Sequence, residues 1–103
     1  MEERIIKSIL SWENYLKRSG FRVHPNLPDR FFKPKAIKGI IPDIFSTKGG
    51  YCLAICIDDN ANFCVSSRSY ACLNDWLYMG VREFIISSPG EFPNVSYTKL
   101  FPT

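Results

Sequence analysis

The chain has 103 residues, of which 46% are hydrophobic, 15% aromatic and 22% charged, with a formal net charge of +3. This is room for a single domain, residues 1–103, with enough apolar side chains to exclude a disordered chain. No apolar run is long enough to cross a bilayer. The opening MEERIIKSIL lacks the basic-then-apolar pattern of a secretion signal, so the cytoplasm is the expected compartment and no membrane role is expected. A domain this small is only narrowly stable, and a homodimer or a partner would add buried surface.

Residues 2–19 read as a helix. Ile5, Ile9, Trp12 and Leu16 fall on one stripe, at the spacing of one face of a 3.6-residue period. Glu2 and Glu3 open it and Lys17 and Arg18 close it, as the helix dipole favours, and Gly20 is placed to cap its end. Phe21 to His24 alternates apolar and basic and predicts a short strand carrying the lone histidine. Residues 25–36 hold Pro25, Pro28 and Pro34 and predict a loop, long for so small a domain and of the kind that often carries function.

Residues 38–46 (KGIIPDIFS) predict a strand, with Pro42 arguing for an edge or a bulge. Thr47-Lys48-Gly49-Gly50 predicts a hairpin turn, and residues 51–58 (YCLAICID) the central strand. Ser66 or Ser67 can cap a helix running to about Met79, with Tyr70, Leu73, Trp76 and Leu77 as its buried stripe. Val81 to Ser87 predicts a further strand, and Val95 to Leu100 a last one at the edge. The expected class is therefore α+β, a small mixed sheet flanked by two helices.

Cys52, Cys56, Cys64 and Cys72 are spaced C-x3-C-x7-C-x7-C, which matches no common zinc module. In a cytoplasmic chain they are expected to be thiols packed in the core. The charge is uneven. Lys17, Arg18, Arg22, Arg30, Lys33, Lys35 and Lys38 face a single acid, Asp29, across one segment. From Asp43 to Glu91 acids outnumber bases. Phe31 and Phe32 are interleaved with the basic residues. Cations neutralise phosphates and exposed rings stack on unpaired bases, so Arg22, Arg30, Phe31, Phe32, Lys33, Lys35 and Lys38, with Arg68 at the start of the second helix, are the candidate nucleic-acid contacts. A solvated loop with its phenylalanines tucked into the core is the competing reading.

The stretch IIPDIFSTKGGYCLAICID, followed by SSRSYACLNDWLYMG and VREFIIS, resembles the core of the PD-(D/E)XK superfamily, the restriction-endonuclease-like nucleases. The helix before Gly20-Phe21 is similar to the opening helix of archaeal Holliday junction resolvases. In that superfamily an Asp after Pro and an acid-x-Lys motif on the next strand hold Mg²⁺, which activates a water for phosphodiester hydrolysis. The resemblance makes Asp43 the first of these acids. Counting across the hairpin, the second acid falls at Cys56 and the lysine at Asp58, while a helix position that carries Lys or Gln in many relatives falls near Ser69 or Cys72. Asp43 and Asp58 are thus the candidate catalytic and metal-binding residues, for Mg²⁺ if the protein is active.

Three functions are open at this point. The first is a degenerate nuclease fold that binds nucleic acid, DNA above all, without efficient cleavage. The second is a small accessory or inhibitor module of a mobile element or virus that binds a protein partner. The third is a metal-dependent nuclease with relocated ligands, recruiting Glu2 or Glu3.

Overall fold

The computed structural model describes residues 2–34, 36, 41–58 and 80–101. Helix α1 runs Glu3–Arg18, followed by strands β1 (Arg22–Pro25), β2 (Ile44–Lys48), β3 (Tyr51–Ile57), β4 (Val81–Ser87) and β5 (Tyr97–Phe101). The strands form one sheet in the order β1-β2-β3-β4-β5. All neighbours are antiparallel except β3 and β4, which are parallel. Parallel neighbours require a crossover of a dozen or more residues. The expected helix ending near Met79 falls in that connection and lies outside the described residues, as do Cys64, Arg68 and Cys72. The α+β class with a mixed sheet is what the described elements form.

α1 packs on β1, β2 and β3 through the stripe read from its sequence. Ile9, Trp12 and Leu16 bury against Ile44, Leu53, Ile55 and Ile85, with Leu27 closing the side. Each such fully buried aliphatic side chain stabilises the fold by roughly 1.5–3 kcal/mol. The helix stops where Gly20 adopts a φ of 90°, which a side chain would disfavour. The Gly20 and Phe21 N–H groups then return to the carbonyls of Lys17 and Leu16, closing the last turn in the Schellman manner.

The tip of the β2–β3 hairpin reaches this helix end. Gly49 and Gly50, both at positive φ, make the two-residue turn whose twist suits a hairpin. Beside them, Lys48 Nζ donates to the Ser19 carbonyl at 2.7 Å, placing a cation at the negative end of the helix dipole.

β2 differs from its expected span. It begins at Ile44 rather than 38 and continues to Lys48, while residues 37–40 lie outside the described set. Pro42 is buried just before the strand, where its missing N–H interrupts no ladder bond.

Candidate functional site

The Asp43 corner is built where the hairpin opens. The β2–β3 register pairs Ile44 with Ile55, so one step further Asp43 stands opposite Cys56. The Asp43 carbonyl accepts the Asn26 N–H at 2.8 Å, and its carboxylate accepts the Ile57 N–H at 2.6 Å. Burial raises the Asp43 pKa above the ordinary carboxylate value; the Ile57 bond opposes that shift and the nearby Asp58 charge adds to it. Burial likewise pushes the half-buried Cys56 thiol up to about 12, with Asp43 and Asp58 contributing. Such a thiol stays protonated and is a poor nucleophile. Cys52, on the same face of β3, is half-buried as well.

These donors suit Mg²⁺ badly. The hard ion wants several oxygens, but here a protonated thiol stands where the second acid is expected, and one Asp43 oxygen is taken by backbone. Among the described residues, no group of three or more His, Cys, Asp or Glu side chains is placed to hold a metal ion. Asp58 is exposed, with its N–H on the Ser87 carbonyl at 2.8 Å.

The loop from Asn26 to Pro34 sits beside this corner. Leu27 anchors it in the core. Arg30 grips Glu13 of α1, its Nη2 at 2.9 Å and Nε at 3.4 Å from the carboxylate oxygens. Glu13 is only 3% exposed and is also reached by Lys17 at 3.4 Å. Arg30 further pairs with Asp29 at 2.9 Å, so this expected phosphate contact is engaged within the protein. Glu13 was not singled out from the sequence. Its place between Trp12 and Leu16, four residues after Ile9, was the available signal.

Beyond this clasp the loop turns its rings outward. Phe31 is 92% exposed and Phe32 68%, so neither fills the core. Their ring centroids are 5.1 Å apart, and Phe32 leads at 6.2 Å to His24, which lies 6.4 Å from Phe45. The aromatic row thus runs from the loop onto β1 and β2, toward the strand end that carries Asp43. Arg22 lies two residues before His24 on the same face of β1, and Lys33 follows Phe32. Both are exposed, and neither pairs with a carboxylate among the described residues. Lys35 and Lys38 lie outside the described residues.

A third polar cluster was not anticipated. Glu83 of β4 accepts the Tyr51 hydroxyl at 2.6 Å and pairs with Lys99 of β5 at 2.8 Å. The bond to Glu83 pushes the Tyr51 phenol up to about 12. The alternation of VREFIIS, which puts Glu83 on the face of Ile85, was the signal that could have found it.

Among the described residues no helix is long and apolar enough to cross a membrane. A scan of protein-family models and a search of curated proteins returned no match to the chain.

Proposed function

We propose that this chain is a nucleic-acid-binding protein built on a degenerate PD-(D/E)XK-like fold, without efficient cleavage. The observation that carries the reading is the pair of solvent-facing rings, Phe31 and Phe32, on a loop clasped to α1 and flanked by Arg22 and Lys33. Stacking on an aromatic contributes about 1–3 kcal/mol per base. A loop already fixed by Leu27 and by the Glu13–Arg30 pair loses little entropy on binding. The order helix, three antiparallel strands, crossover, parallel strand supports the likeness to the nuclease core. Asp43 beside a protonated Cys56 supports the loss of cleavage.

The test is a titration of labelled single strands and duplex, of DNA and RNA, at two salt concentrations. Single strands should bind. The Phe31→Ala, Phe32→Ala double variant should lose about tenfold or more on single strands with an unchanged salt slope. Arg22→Ala and Lys33→Ala should each lower the log–log salt slope by about 0.7. Failure to bind at low salt, or equal binding by the double variant, overturns the proposal. The same rings would then be assigned to a protein partner, since an exposed Phe pair also fits an apolar groove. Robust Mg²⁺-dependent cleavage that vanishes in Asp43→Ala would instead establish an active nuclease.

A further inference from the structure

Between the C-terminal half of α1 and the β3-β4-β5 side of the sheet lies a cleft of about 190 Å³. It has room for one planar ring system. Leu16, Leu53 and Ile85 line it with Trp12, Phe21 and Phe92. Trp12 is fixed, its indole N–H donating to Ser87 Oγ at 3.1 Å and its ring 4.3 Å from that of Phe92. Tyr15 and Tyr97 also line the cleft and are both exposed, so they form its accessible walls. At the polar end stand Glu83 and Lys99. The Tyr15 and Tyr97 phenols lie close enough to Lys99 to add to the rise in its pKa that Glu83 dominates.

The Glu83–Lys99 pair has hydrogen-bonding capacity left over. An ionised carboxylate offers about four lone-pair sites and an ammonium three donors. Glu83 meets Tyr51 and Lys99, and Lys99 meets Glu83. An acceptor and a donor therefore stand side by side at the end of an aromatic slot, the complement of a nucleobase edge, where a donor neighbours an acceptor. Small-molecule sites are mostly apolar, with a few convergent polar groups that fix orientation, and this cleft has that composition.

We propose that the cleft takes one unpaired nucleobase, stacked against Tyr15 and Tyr97 and read at its edge by Glu83 and Lys99. The inference deepens the nucleic-acid reading and rests on it, placing a single-base pocket on the face of the sheet opposite the Phe32–His24–Phe45 row.

Uridine, cytidine and adenosine are the probes, followed by calorimetry and ligand-observed NMR, with benzyl alcohol and benzylammonium as comparators. The nucleosides should bind and benzyl alcohol much less. Glu83→Gln, Lys99→Met and Tyr97→Leu should each weaken nucleosides about tenfold. Lys99 and Tyr97 are exposed, so those two variants keep the test valid should Glu83→Gln unfold. Absence of nucleoside binding, equal binding by the folded variants, or a preference for benzylammonium, which would mark an organic-cation site, overturns the inference. The two proposals fail separately. Oligonucleotide binding that depends on Phe31 and Phe32 but ignores Glu83, Lys99 and Tyr97 leaves the loop reading and removes the pocket. Nucleoside binding in a protein that captures no oligonucleotide does the reverse.

Discussion

Glu13 of α1 and Asp43 before β2 both touch the Asn26–Pro34 loop, through Arg30 and Asn26, and meet the same difficulty, a carboxylate drawn out of water, in opposite ways. Glu13 is met by two cations, Arg30 and Lys17. Among the described residues Asp43 is met by no cation; it has one backbone N–H, a thiol opposite and Asp58 nearby. Removing a charge from water is costly unless it is paired and hydrogen-bonded. The cation-paired site accordingly works as a structural clasp, while the unpaired one has its proton affinity raised. The difference teaches that pairing with cations turns a buried carboxylate into a fixed point for the loop, and that Arg30 serves first to fix it.

Arg30→Ala should have the largest effect. It leaves Glu13 buried with Lys17 alone. Truncating one partner of a buried pair leaves the other charge uncompensated, so a clear drop in the urea midpoint is expected, larger than for the variants below. A double-mutant cycle with Glu13→Ala should return a favourable coupling. A coupling near zero would remove the clasp from the account.

Asp43→Asn should move stability the other way. The folded pKa of Asp43 is raised, so the native state holds the proton more tightly than the unfolded chain does. The stability from that proton is present below the ordinary carboxylate pKa of about 3.9 and lost as pH rises through the raised value. The Asn variant keeps an acceptor for Ile57 and removes the charge. Unfolding measured from about pH 3 to about pH 7 should show it gaining on the parent across that window and holding the gain above it. A parent and variant with parallel pH profiles would show that Asp43 is solvated like an ordinary surface acid.

The smallest effect is expected at the rings themselves. Phe31→Ala and Phe32→Ala should change stability by no more than about 0.5 kcal/mol, as for surface positions that touch no special feature. A larger loss would mean that the rings pack in solution, and the display would then have no surface to offer.

Much of this architecture was legible in the sequence, and the exceptions have physical causes. The α1 stripe, Gly20 and the Gly49-Gly50 turn are local signals, set by helical period and positive φ, and each stands where the pattern put it. The start of β2 is not legible because an apolar run does not say where pairing begins, and Pro42 precedes the strand rather than breaking it. The aromatic-basic segment was visible as composition, but its orientation was not. Whether Phe31 and Phe32 turn inward depends on Arg30 finding Glu13, a contact across 17 residues. The Glu83 cleft was invisible for the same reason, since it joins α1, β3, β4 and β5, and only their assembly brings Tyr15, Glu83 and Lys99 together.

The Gly49-Gly50 hairpin lies in the middle of the sheet, not at its rim. Its strands are joined by two residues, whereas β1 pairs with β2 across the whole loop and β4 pairs with β3 across the crossover. Closing a short connection costs less entropy than closing a long one. The sheet is therefore expected to assemble from its centre outward, β2 and β3 pairing first and offering an edge on each side to the distant strands. φ-values would be highest around Phe45 and Ala54. The part of the chain that would form first is the part that ends in Asp43 and Cys56, so that corner would be framed before either the loop or the cleft has closed around it.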